Sequence, residues 1–186
     1  QGGNYCILLP ILSVAAHEQL QGIEQDLYYL RRELCSLTGG LCVSTSSLLV
    51  SLSEAPKEYR QTKQLEKYRF FCSDIPILSA AILTSNQASP NWQAVIDCTD
   101  SLLYATICGD DEQIGSLLQG LFFDHIKPAR NMSYFRAVWT QLQSIYEQVC
   151  YLTDTGSFSG DCCDAERFWS IEQALQFQIQ RFHHLT

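Results

Sequence analysis

The sequence predicts an all-α fold, a single helical bundle of about seven helices of unequal length with residues 1–186 as one domain. Three runs of apolar residues carry that prediction. Leu20, Ile23, Leu27, Leu30, Leu34 and Leu37 recur at alternating gaps of three and four, the spacing that lines one side of an α-helix, and Gly39-Gly40 closes the run. The same rhythm returns at Phe135, Val138, Leu142, Ile145, Val149 and Leu152, and more loosely at Phe168, Ile171, Leu175, Ile179 and Phe182.

The first segment, Tyr5 to Leu12, contains Pro10, so helix one is expected to start near Ser13, which can cap it, and to run to about Thr38. Glu18, Gln25, Tyr29 and Arg32 mark its outer side, which makes it a peripheral helix with one buried face and one wet face. Leu41 to Ser53 reads as a shorter helix with Leu48, Leu49, Val50 and Leu52 inward, although its β-branched content weakens helix propensity; Pro56 ends it. Lys57 to Cys72 reads as a charged helix with Tyr59, Leu65, Tyr68 and Phe71 or Cys72 inward, and Asp74-Ile75-Pro76 restarts the chain for an apolar helix through Leu83.

Thr84 to Ser89 is a polar connector, and Ser89-Pro90 suits the cap and first turn of a helix over Asn91 to Ile107. Cys108-Gly109 stops that helix, Asp110 or Asp111 can cap the next, and Glu112 to Asp124 turns Ile114, Leu117, Leu118, Leu121 and Phe122 inward. Lys127-Pro128 separates it from the second long seam, Tyr134 to Leu152, where Trp139 and Tyr146 widen the stripe to suit a globular bundle rather than a two-stranded coiled coil. Thr153 to Cys162 is dense in Gly, Ser, Thr and Asp and reads as a loop.

Bulk properties exclude several function classes. A formal charge of -8 with only 12 basic residues argues against a nucleic-acid phosphate surface and against an anionic membrane face, both of which call for clustered Lys and Arg. The longest apolar runs, Tyr5 to Leu12 and Ile75 to Leu83, fall far short of the roughly 20 residues that cross a bilayer, so no transmembrane segment is expected. The chain begins Gln1-Gly2-Gly3-Asn4 without an initiator Met, as a processed end or a domain cut from a longer protein would.

Nine cysteines, Cys6, Cys35, Cys42, Cys72, Cys98, Cys108, Cys150, Cys162 and Cys163, make an odd and high count. Most fall inside expected helices, where they read as small buried hydrophobes with free thiols in a reducing, cytoplasmic compartment; the alternative is an extracellular protein with disulfides, glycosylated at Asn131-Met132-Ser133. Cys162-Cys163 and His183-His184 carry zinc-binding chemistry, but they lie at opposite ends of one expected helix, about 30 Å apart at about 1.5 Å per residue. No metal site is expected. Phosphate loops, dinucleotide fingerprints and paired-carboxylate metal motifs are absent from the sequence, so no cofactor and no catalytic residue is assigned and the chain is not read as an enzyme.

The last helix is the most suggestive stretch. With Leu175 inward at 100° per residue, Trp169, Gln173, Phe177, Gln180 and His184 line the opposite side. Two large aromatics facing away from the main seam mark either a helix buried on both sides or a candidate partner surface. The nonapeptide Trp139 to Glu147 (WTQLQSIYE) resembles a helix in the amino-terminal helical domain of adenylyl cyclase-associated proteins, and over nine residues of 186 the resemblance implies a helix. These features point to protein-protein interaction: an adaptor, scaffold or assembly domain that acts through helix faces on another protein or on a second copy of itself. The alternative is a helical pocket for a small molecule or lipid, enclosed by the nine Phe, nine Tyr and three Trp; a thiol-dependent enzyme is third.

Overall fold

The computed structural model describes residues 16–38, 43–46, 51–84, 87–153 and 165–186, and these are predominantly α-helical. The helices are α1 (Ala16–Thr38), α2 (Ala55–Tyr68), α3 (Ala81–Thr84), α4 (Trp92–Cys108), α5 (Asp111–Gly120), α6 (Lys127–Ala129), α7 (Met132–Thr153) and α8 (Ile171–His183). Among the described residues no helix is long and apolar enough to cross a membrane.

The frame is built by α4, α5, α7 and α8, and local chemistry sets each boundary. Asn91 caps α4 by accepting a hydrogen bond from the Ala94 N–H, and Gly109, at φ 69°, ends the helix in the left-handed conformation that glycine adopts without a Cβ clash. Asp110 then caps α5 by accepting from the Gln113 N–H at 3.0 Å, so α4 and α5 form an antiparallel hairpin. Asn131 does the same for α7 through the Tyr134 N–H at 3.1 Å. The rings of Trp139 and Phe177 meet, and those of Tyr146 and Phe182 meet further along both helices, so α7 and α8 run parallel.

The core fills the space between these helices. Leu102, Ile114, Leu118, Phe122, Phe135, Val138, Leu142, Val149, Ile171, Leu175 and Phe182 are buried. A chain of ring contacts runs from Phe71 through Phe70 and Phe135 to Trp139 and joins the segment after α2 to α7, with edge-on and tilted geometries that favour aromatic pairs. The Ile171 N–H donates to the Phe70 carbonyl at 2.9 Å, and Lys127 bridges Asp74 and Glu172, so that segment is tied to the start of α8.

Several sequence expectations need correction. In place of a helix over Leu41 to Ser53, Val43–Thr45 forms strand β1, which pairs in parallel with strand β2 (Ile77–Ser79), Ser44 opposite Leu78, and Leu52–Glu54 forms a single 3-10 turn. The β-branched residues that weakened the helix reading won locally; Leu48, Leu49 and Val50 lie outside the described residues. The expected apolar helix through Leu83 is therefore β2 followed by the short α3. Pro56 opens α2 instead of ending its predecessor, since proline suits the first helical turn, and Tyr59 points to solvent.

The helix after Gly109 does not stop at Asp124. It widens into a π-helical stretch at Leu121–Ile126 and runs on into α6, with Pro128 accommodated in the first turn; Arg130, at φ 46°, makes the break. The α1 seam is more open than its rhythm implies, with Ile23 and Leu27 half-buried and Leu30 49% exposed. The expected cap Ser13, the stop at Gly39-Gly40 and most of the loop to Cys162 lie outside the described residues.

Candidate functional site

The entry to α8 places the sequence-predicted surface. Ser170 accepts from the Gln173 N–H at 3.3 Å while the Gln173 side-chain oxygen accepts from the Trp169 N–H at 3.1 Å, a reciprocal cap that fixes the chain just ahead of the helix. Trp169, held there, is 80% exposed. Gln173, Gln180 and His184 are exposed too. Phe177 differs, because its ring is half-buried, stacked 6.0 Å from Trp139 and 5.2 Å from Phe168. Of the two aromatics expected to face away from the seam, one closes a ring cluster against α7 and the other stands in solvent ahead of the helix.

A second apolar surface, which sequence reasoning missed, lies along α4. Trp92, Ile96, Tyr104 and Ile107 are 46%, 47%, 71% and 51% exposed, with half-buried Leu103 among them. At 100° per residue Trp92, Leu103, Ile96 and Ile107 fall within one 60° stripe, beside the inward stripe of Val95, Leu102 and Ala105. The signal was present as spacings of four, eleven and fifteen residues from Trp92, hidden because the inward residues of the same helix also repeat with helical period. Trp92 is fixed edge-on against Tyr134 at 4.9 Å, and the Tyr134 hydroxyl donates to the Asn91 carbonyl at 3.1 Å.

The opposite flank of α4 forms a groove of about 360 Å³ with α5 and the π-helical turn, lined in part by Asp97, Cys98, Ser101, Ser116, Gly120 and His125. Its lining mixes these polar groups with Ala94, Leu117 and Leu121 and contains no Phe, Tyr or Trp. Cys98 donates its S–H to the Leu117 carbonyl, and burial pushes this thiol up to about 11, so it stays protonated near neutral pH and is a poor nucleophile. Burial also raises the Cys72 thiol. Cys72, Cys98, Cys108 and Cys150 are free thiols. Cys162 and Cys163 lie outside the described residues, and no group of three metal-ligating side chains occurs among those described.

Two further polar features stand inside α8. Arg181 is buried, packs its guanidinium 3.7 Å over the Tyr146 ring and donates to the Gln143 side-chain oxygen. Gln178, one turn earlier, is fully buried, and neither its amide nitrogen nor its oxygen has a partner among the described residues. Near the start of α8, burial alone would raise the Glu172 carboxyl, but hydrogen bonds from Ser73, the backbone and Lys127 outweigh it and hold it below the usual range. In comparisons with protein-family models, with curated proteins and with solved structures, the chain matches none.

Proposed function

We propose that the protein is a protein-binding helical domain, an adaptor or assembly unit that works through its helix faces on another protein or on a second copy of itself. The observation that supports this most is Trp169, a large apolar side chain 80% exposed at the entry to α8, where its backbone N–H donates to the Gln173 side chain. An exposed large aromatic beside polar, hydrogen-bonding residues is the composition of an interaction hot spot with its rim. Gln173, Gln180 and His184 supply that rim.

The competing readings have less support. A pocket for an apolar ligand would be lined by the Phe, Tyr and Trp side chains, but those rings pack on one another and none of them lines the groove between α4 and α5. A thiol enzyme would need a readily ionised cysteine, and Cys98, which shares a groove with His125, is shifted the other way.

The test is a photo-reactive amino acid placed at position 169, and separately at 96, in the chain added to an extract of its native cells, together with light-scattering mass of the purified protein. A discrete adduct from either position, or a defined oligomer that Trp169→Ser dissolves, supports the reading. A monomer that gives no adduct from either position contradicts it.

A further inference from the structure

We propose that the exposed stripe of α4 is a seat for an amphipathic helix that carries basic side chains along its flanks. The proposal rests on the interaction reading above and names the partner's chemistry. From Trp92 to Ile107 the stripe rises about 22 Å at about 1.5 Å per residue, room for a partner helix of about four turns. Anchors at i, i+4 and later turns are how an amphipathic helix is read on an apolar surface. Trp92 and Tyr104 are large and rigid, and Trp92 is already held by Tyr134, so little side-chain freedom is lost on docking.

Charge selects the occupant. α4 bears Asp97 and Asp100 and no Lys or Arg, and it runs directly into Asp110, Asp111 and Glu112, all of them exposed. On the helix wheel Asp100 falls between Ile107 and Tyr104, at the border of the stripe. A second copy docked about a twofold axis would set these carboxylates against themselves in a chain of formal charge -8, and an anionic lipid surface would be repelled in the same way. A helix with an apolar seam and Lys or Arg at its edges meets both the stripe and the field around it.

The probes are three synthetic peptides of about 18 residues titrated into the whole chain by fluorescence anisotropy: a Leu-seamed helix with Lys flanks, the same seam with Glu flanks, and the Lys peptide with its seam scrambled. The Lys-flanked seam is expected to bind with micromolar affinity, at least about tenfold tighter than either control, and to lose about tenfold in Ile96→Ser/Ile107→Ser while Trp169→Ser leaves it unchanged. Asp100→Lys, a change at an exposed position, is expected to weaken the Lys peptide and strengthen the Glu peptide. Unchanged binding in both α4 variants, no binding of the Lys peptide, or preferential binding to phosphatidylserine vesicles overturns the proposal. If the Trp169→Ser variant alone loses the peptide, or no peptide binds while position 169 still cross-links, this inference fails and the interaction reading stands; if cross-linking fails as well, both fall.

Discussion

The two long helices α1 and α7 share one rhythm of apolar residues and end in different surroundings. Along α7 the seam is closed as far as Val149: Phe135, Val138, Leu142 and Val149 are fully buried, Ile145 is half-buried, and Trp139 and Tyr146 extend the contact onto α8, while Leu152 at the helix end is 59% exposed. Along α1 the described part of the seam stays partly open, with Leu30 half-exposed beside exposed Tyr28 and Tyr29. Periodicity alone therefore says that a helix forms and which side of it is apolar; it does not say that the same chain supplies the cover. What closes most of α7 is stripe width, since three apolar residues per heptad can meet α4, the π-helical turn and α8 together, whereas the narrower α1 seam meets chiefly β2 among the described elements.

The sharpest way to break this contrast is a pair of truncations. Phe135→Ala removes a ring that touches Phe70, Phe122 and Trp139 and is expected to cost about 3–5 kcal/mol in urea unfolding, while Leu30→Ala should cost under about 1 kcal/mol. Equal losses would mean that the α1 face is as closed as that of α7. Next in size, α8 buries the Gln178 amide, which has no hydrogen-bond partner among the described residues. Gln178→Leu, which replaces an unbonded buried amide with an apolar side chain of similar volume, is expected to raise stability by about 1 kcal/mol or more; a comparable loss would show that the amide is bonded.

Capping gives a smaller effect. Asn131→Ala should lower stability by about 1 kcal/mol, because the Tyr134 N–H loses its acceptor at the start of the closed helix. The smallest concerns the tie between Lys127 and Glu172. A carboxyl held below its ordinary pKa contributes stability above the unfolded value near 4.3 and loses it as pH falls through the lower folded value, so Glu172→Gln should cost at most about 1 kcal/mol at pH 7 and progressively less below about pH 4. For Lys127, burial alone would lower the pKa, but the hydrogen bond and charge of Glu172 and those of Asp74 outweigh it and raise it. Its contribution is fully present below the unfolded value near 10.4 and is lost as pH rises through the higher folded value, which alkaline unfolding of Lys127→Met would check.

Where the sequence was legible, short-range chemistry and long-range packing agreed. Gly109, Asp110 and the seams of α5 and α7 announced the hairpin and the core, and each stands where the residues indicated except Leu152, which ends the α7 seam exposed. It was illegible where an element is too short for its period to register. β1 and β2 are three residues each and pair across more than thirty positions, so Val43 and Ile77 read as parts of apolar helices. The π-helical turn at Leu121–Ile126 differs from α-helix by one residue per turn and carries no compositional mark. Of the candidate surface, Trp169 is exposed but precedes the Ser170 cap and lies outside α8, so the helix wheel does not apply to it; the contact of Phe177 with Trp139 was not legible, because it depends on α7 and α8 running parallel. The α4 stripe was readable in principle but was masked by a helix apolar on two flanks.

Hydroxyl-radical footprinting, run on the purified chain and on the same chain in an extract of its native cells, bears most directly on the claim that the open faces await a partner. In the purified chain Trp169, Trp92 and Tyr104 should be modified readily while Trp139 and Tyr146 are spared. In the extract Trp169 or the α4 pair should become shielded by several-fold against the unchanged Trp139 background. Equal modification of all three exposed residues in both settings would show that these faces stay bare, and would contradict the account.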